Sequence, residues 1–343
     1  MPPGSSVNAH NGTPRQRLTV AARTPRHPAR SLRVRSLAKI NLDLRVLNKR
    51  PDGFHELRTI FQTISLADTI DIEYQRGRTR IDIHSNLSIP DNLIVRAADS
   101  VLRAARSTGR LRFDLTKRIP LGSGLGGGSS NAAAVLLALP VLIGKPLPLE
   151  KLMEMASELG SDVPFFLLGG TAVGLGRGTE LYPLPDVAMR PALVITPGVH
   201  SSTGEAYRAL DRKSTCQIPL AVVNSFELHA WQIESYGSDP VSKNDFEPVV
   251  FREHSQLKSI KGKLLKLGAR PALMSGSGSA LFGMFPSREI RDRALDSFRK
   301  EFDQDKVHRV TTVSRSRYRA LWRRQVGVSS DTRLWPPQDR YAK

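Results

Sequence analysis

Five glycines fall within seven residues of one short run: Gly122, Gly124, Gly126, Gly127 and Gly128. The run reads Pro120, Leu121, Gly122, Ser123, Gly124, Leu125, Gly126, Gly127, Gly128, Ser129, Ser130, and it passes without a break into the apolar stretch 131–139. Glycines carry no Cβ to hold an oxyanion away from the backbone. A helix opening on Ser129, Ser130 and Asn131 offers free N–H groups and the positive end of its dipole. Together these features read as a phosphate cradle. Asp162 stands between a helix end at 159–160 and the apolar stretch Val163–Leu168. It serves either as a partly buried carboxylate at a site or as the cap of a short helix beginning near Pro164. Lys39 lies on an apolar, strand-like segment, where an ammonium either reaches solvent past its own stem or pairs with a carboxylate. Phosphoryl transfer to an alcohol needs positioning, neutralisation of charge and a group that orients or deprotonates the hydroxyl. The glycine run, Lys39 and Asp162 are candidates for these three tasks.

Several loop types share this appearance. A Walker A loop requires a lysine just before the helix-opening serine, and none precedes Ser129. A dinucleotide-binding fingerprint matches formally at Gly122, Gly124 and Gly127, but that loop leaves its strand directly. Here Lys117, Arg118, Ile119 and Pro120 separate the glycines from the strand-like stretch 111–116, and the first acidic residue downstream is Glu150, behind Pro146 and Pro148. A flexible glycine–serine linker is the plainest alternative; the strong helix that follows at once argues against it.

A further template accounts for more of the chain. The run resembles the phosphate loop of the GHMP kinases, a family of small-molecule kinases. The resemblance extends to 38–44, 49–57, 159–166 and 273–280, and covers residues 33–325 in order. It implies an α+β fold of two domains with the active site in the cleft between them, ATP as co-substrate with Mg2+ accompanying it, and ATP held by Pro120–Ser130 together with Asn92 and Lys117. It also implies Asp162 as catalytic base, paired with Lys39. Segment 49–55 is most similar to the branch that phosphorylates a diphosphocytidyl-linked diol, rather than homoserine, mevalonate or a sugar. By that resemblance Asn41 orients the diol, His55 hydrogen-bonds the cytosine, and Phe54, Phe61, Thr203 and Tyr207 frame the substrate. Phe54 departs from the branch, where a tyrosine precedes the histidine. No metal ligand is assigned, and Ser130 is the one guess.

The elements that must position these residues follow from periodicity. Alternation predicts strands over 36–47, 57–65, 69–74, 80–84 and 111–116, and helical spacing predicts helices over 92–106, 129–142 and 149–159. Beyond residue 185 strands are expected at 192–196, 271–274, 280–285 and 307–313, with helices at 204–210 and 257–267. The division expected is a basic extension over 1–30, an ATP-binding domain over 31–185, a second domain over 186–326 and a basic tail over 327–343. No apolar stretch reaches the ~18 residues of a membrane span. The net charge of +19 sits mainly at the ends, with +7 in 1–36 and +8 in 306–343, leaving +4 between. That distribution is not a basic face built for specific nucleic acid, although a non-enzymatic RNA-binding protein using both ends remains the alternative class. Residues 1–30, rich in Pro, Arg, Ser and Thr, read as disordered, with the composition a transit peptide also shows. A single cysteine, Cys216, excludes an internal disulfide and fits a cytoplasmic setting. A monomer or homodimer is expected.

Overall fold

The computed structural model describes residues 28–186, 188–199, 203–211, 242–327 and 335–336. The extension expected over 1–30 lies outside them except for 28–30, as do Cys216 and most of the tail beyond 327. β1 (Arg30–Lys49) begins as a half-buried strand, with Leu32 and Val34 inward and Arg33 and Arg35 outward. From 36 to 44 every residue is buried, because layers cover both faces of the strand. β1 pairs antiparallel with β2 (His55–Arg76) along nearly its whole length, with irregularities between Leu37 and Lys39, Asn41 and Asp43, and Val46 and Lys49. β2 also pairs with β4 (Gly109–Thr116) through Thr69–Arg76 and with β5 (Thr171–Gly176) through Leu57–Gln62. β3 (Arg80–Ser85), parallel to β4, and β6 (Glu180–Pro183), antiparallel to β5, complete this sheet.

Four helices cover one face of the sheet: α1 (Leu93–Ala104), α2 (Gly127–Ile143), α3 (Leu149–Leu159) and α4 (Val163–Leu168). Every residue of α2 from 130 to 143 is buried, the signature of a central rather than a surface helix. The second sheet has the antiparallel order β10 (Val307–Thr311), β7 (Pro191–Ile195), β9 (Leu281–Met284), β8 (Ala272–Met274). Around it lie α5 (Thr203–Asp211), α6 (Glu247–Glu253), α7 (Ser255–Lys266) and α8 (Arg288–Arg299). A separate core of Ala38, Ile40, Leu42, Ile64, Val194 and Phe282 joins the two sheets. The chain then returns: α9 (Arg315–Val326) packs Tyr318, Trp322 and Val326 into the core of the first sheet and its helices. The α+β architecture implied by the resemblance is what is found.

The differences from expectation have physical causes. β2 is one strand, not two, because Asp68 in its middle is provided for: its carboxylate accepts from Arg118 N (2.7 Å), Ile119 N (2.8 Å), Asn131 Nδ2 (2.9 Å) and Lys117 Nζ (2.5 Å). α9 was not foreseen, since five arginines in 315–324 hide Tyr318 and Trp322 at i and i+4. β5, β6, α6 and α8 were also not anticipated. Segment 243–245 strings the layers together. Leu44 N donates to Lys243 O (2.9 Å), Asp245 N to Leu44 O (3.0 Å), and Lys243 N to Asp43 Oδ1 (3.0 Å).

Two buried charges make testable demands. Lys117 and Asp68 have side chains exposed by 1% and 0%. Lys117→Met should cost about 3–5 kcal/mol by leaving a buried carboxylate without its cation. Adding Asp68→Asn should recover part of that loss in urea unfolding; equal costs for single and double variants would contradict the coupling. Asp43 is pushed up to about 6 by burial, against the pull of Arg45 and Arg58. The folded chain therefore holds this proton to higher pH than the unfolded chain does, and stability is lost as pH rises through about 6. In calorimetry, the Tm of the native chain relative to Asp43→Asn should fall from about pH 4 to about pH 6 and level off above.

Candidate active site

The glycine run bends from the end of β4 into α2 with Gly122, Gly124 and Gly126 at positive φ. At Gly124 (φ +77) a Cβ would stand 2.0 Å from Ser275 O, and at Gly126 (φ +70) it would stand 2.8 Å from the Phe166 ring and 3.1 Å from Lys39 Cγ. Close approach, as well as backbone conformation, therefore requires glycine at both. α2 starts on Gly126 with no side chain capping it, which leaves its first-turn N–H groups for an anion. Three side chains of the run turn into the protein. Ser123 Oγ donates to Pro120 O (2.7 Å), Ser130 Oγ donates to Leu37 O (2.6 Å), and Leu125 is buried. Leu121 is half exposed at the rim. A second glycine loop after β8 closes on the first: Ser275 Oγ donates to Gly124 O (2.9 Å) and Ala280 N to Ser123 O (3.1 Å).

Lys39 and Asn41 share the β1 face opposite Ala38, Ile40 and Leu42. Lys39 Nζ donates to Asn41 Oδ1 (2.8 Å), lies 3.3 Å from Asp162 Oδ2, and sits 5.3 Å from the centre of the Phe61 ring. Asn41 Nδ2 donates to Thr59 Oγ1 (2.7 Å), and Thr59 Oγ1 to Asp43 O (2.8 Å). Lys39 is 4% exposed at its side chain and Asp162 33%, so the ammonium is fixed from below while the carboxylate meets the groove. Asp162 precedes α4 but caps no backbone N–H. Of the two roles its position allowed, capping is not the one its side chain fills.

These groups line one groove of about 370 Å³ with Gly122, Gly124, Thr203, Tyr207 and the loop 276–278. His55 stacks on Tyr207 at 4.6 Å and 23°, and Tyr207 meets Phe246 edge-on at 4.9 Å. Burial, together with the charge of Asp162, pushes the Tyr207 phenol up to about 12, so it stays protonated. Thr203 Oγ1 is hydrogen-bonded with Ser277 Oγ (2.7 Å). Phe61 forms part of the floor, packed on Phe165 at 4.9 Å.

Three expected residues are placed otherwise. The Lys117 ammonium is sealed against Asp68 and Asn131 beneath α2 and is not presented to a nucleotide. Burial without water obliges it to serve its carboxylate. Asn92 caps α1, its Oδ1 accepting from Ile94 N (3.1 Å); α1 does start beside the loop, with Leu93 Cδ1 4.0 Å from where a Gly128 Cβ would stand. Phe54 is 48% exposed at the rim, and the Arg177 guanidinium covers one ring face at 3.6 Å. Groove residues the sequence did not yield are Thr59, Arg177 and Phe246. Asn244 is a further omission; it holds the second glycine loop by donating to Met274 O (2.8 Å) and Gly276 O (2.7 Å). Thr59 holds Asn41 from 18 positions away and had no local signal.

Comparison with known proteins agrees with this geometry. Residues 92–170 match the GHMP kinases N terminal domain, and residues 233–304 the GHMP kinases C terminal domain. A 4-diphosphocytidyl-2-C-methyl-D-erythritol kinase of Solibacter usitatus (strain Ellin6076) is 53% identical over 317 residues, 91% of this chain and 98% of that protein. The crystal structure of a 4-(cytidine 5'-diphospho)-2C-methyl-D-erythritol kinase superposes with a TM-score of 0.69 at 37% identity, covering 82% of this chain and 99% of the other. A homoserine kinase from Cytophaga hutchinsonii shares the fold, with a TM-score of 0.61 at 20% identity over 87% and 98% of the two chains. The chain belongs to the GHMP kinases, in the group of the 4-diphosphocytidyl-2-C-methyl-D-erythritol kinases.

Proposed function

We propose that the chain transfers the γ-phosphoryl group of ATP to the 2-hydroxyl of 4-diphosphocytidyl-2-C-methyl-D-erythritol, giving the 2-phosphate and ADP, a step in isoprenoid precursor synthesis. The observation that carries the chemistry is the Lys39–Asp162 pair, 3.3 Å apart in the groove that the glycine loop also lines. The 2-hydroxyl oxygen bonds to the γ-phosphorus as the bond from that phosphorus to the β–γ bridging oxygen breaks, and the electron pair leaves with ADP. The hydroxyl proton passes to an Asp162 oxygen and from there to solvent. Lys39, held by Asn41, faces the charge that develops on the transferring group. The N–H groups opening α2 hold the nucleotide phosphates.

Among the described residues Asp162 is the one carboxylate lining the groove, and no cluster of three metal-binding side chains occurs. A magnesium ion carried in on ATP would be held there by the nucleotide phosphates, with Asp162 as the protein group that could contribute. When bound, the ion would neutralise phosphate charge. The wall of His55, Tyr207 and Phe246 takes the cytosine by stacking. Arg177, with its guanidinium held over Phe54 at the rim, meets the diphosphate. No described helix is long and apolar enough to cross a membrane. Both substrates are charged and water-soluble, and the reading places the reaction in the cytoplasm, by a monomer or homodimer.

ADP release measured against a panel of acceptors tests the reading: turnover is expected with the cytidyl diol, and turnover of homoserine or mevalonate in its place would overturn it. Asp162→Asn should lower kcat by about 100- to 10,000-fold with the KM for ATP little changed; near-native turnover would remove Asp162 as the base. Arg177→Ala should raise the KM for the cytidyl diol about tenfold while that for ATP holds. Phe54→Tyr, with its new hydroxyl directed to solvent, should leave both constants within about twofold.

A further inference from the structure

α4 is short: six residues, whose start sets the place of Asp162. A helix of that length is not stable by itself and stands where its surroundings hold it. Its N-terminal half packs through Phe165 on Phe61 and through Phe166 against Gly126. Its C-terminal carbonyls are the orphans of any helix end, and here two of them are met from far along the chain. Gly169 N donates to Phe165 O (2.9 Å), Tyr318 Oη to Phe166 O (2.5 Å), and Trp335 Nε1 to Leu167 O (2.9 Å). Tyr318 is 2% exposed, and burial raises its pKa, so its hydroxyl keeps the proton it donates. Its ring abuts Gly169, where a Cβ would stand 2.2 Å from Cδ1. Arg315 braces the strands that follow, donating to Thr171 O (2.5 Å) at the start of β5 and to Leu184 O (2.9 Å) just after β6.

We infer that Tyr318 and Trp335 are positioning residues for Asp162, acting through the backbone of α4; the inference rests on the reading of Asp162 as the base. Phe166 lies four residues beyond Asp162, about 6 Å along a helix axis. A shift at its carbonyl is carried to the carboxylate because α4 moves as one body. Freeing the C-terminal end lets α4 tilt, and a displacement of ~1 Å at Asp162 suffices to cost up to about a hundredfold in rate. This gives two aromatic residues a task in the reaction although neither lines the groove. One of them, Trp335, lies in the basic tail for which the sequence suggested no purpose.

The test uses Tyr318→Phe and Trp335→Phe, which remove one donor each and keep a ring, each made in the full-length chain and again in an Asp162→Asn background. Each single change should lower kcat about tenfold while the KM values for ATP and the diol stay within about twofold. In the Asp162→Asn background the same change should alter the residual rate by less than about twofold, because the residue through which it acts is already gone. Equal losses in both backgrounds would assign the two residues a merely structural role and overturn the inference, as would unchanged kcat in both single variants. The 13C chemical shift of the Asp162 carboxyl carbon, read at one pH without substrate, should differ between Trp335→Phe and the native chain. A chemical shift identical to the native one would also count against it. That readout keeps the inference testable if the acceptor panel shows a different substrate, a result that would overturn the proposed function alone.

Discussion

An ammonium group removed from water has to be surrounded, and Lys39 is the group that sets this requirement for the site. Its side chain is 4% exposed, and isolating such a charge costs several kcal/mol unless partners replace the lost water. The partners come from three directions: Asn41 on its own strand, Asp162 before α4, and the face of Phe61 on β2. Each of these requires further structure. Asn41 faces Lys39 because β1 keeps a strand period there. It is held in turn by Thr59, which is itself tied to Asp43 O. Phe61 is pressed from behind by Phe165 of α4. Burial of β1 on both faces, and hence the second layer with its glycine loop, is what keeps the ammonium from water.

The legible part of the site was the part with local requirements. Gly124 and Gly126 announce themselves because each is needed at one backbone position, whatever the rest of the chain does. Lys39 and Asp162 each had a plain alternative in the sequence, and the resemblance to the family, not their spacing, decided between them. Lys117 shows the limit. The resemblance alone put Lys117 beside the nucleotide's adenine and ribose, and only its partner Asp68, 49 positions away, reveals its ammonium as a core cation. Asn244, Thr59 and Arg177 left no trace for the same reason, since their roles depend on neighbours distant in the chain. α9 was missed because its arginines masked its aromatic face, and β2 was divided because a buried aspartate is a poor strand residue until its four donors are known.

The basic ends also change meaning once placed. Arg30 donates to Leu142 O (3.2 Å) and Ile143 O (3.1 Å) at the end of α2, and Arg33 pairs with Asp71. The backbone of Arg35 donates to Gln325 of α9 (2.8 Å), so β1 and α9 meet although 290 positions separate these residues. Arg315 serves the carbonyls of Thr171 at the start of β5 and Leu184 just after β6. Cations at helix ends and carbonyl-rich turns satisfy acceptors that would otherwise go unpaired. In the described residues this portion of the charge holds the chain together, and a basic composition is therefore weak evidence for a nucleic-acid partner.

What fixes the distance between the phosphate cradle and the base is a contact, not a hydrogen bond. The cradle begins at Gly126 and the base at Asp162, on different helices, and the two helices meet where the Phe166 ring lies over the bare Cα of Gly126. A methyl there would press on both Phe166 and the stem of Lys39. Cores resist such insertion, because displaced side chains move their neighbours instead of compressing. Any thickening at Gly126 therefore displaces the base and its cation relative to the phosphates. On the proposed function the glycine has two tasks at once: it lets a phosphate approach the backbone, and it lets the helix that follows Asp162 approach the loop. Its missing Cβ then sets the distance between the phosphate loop and Asp162.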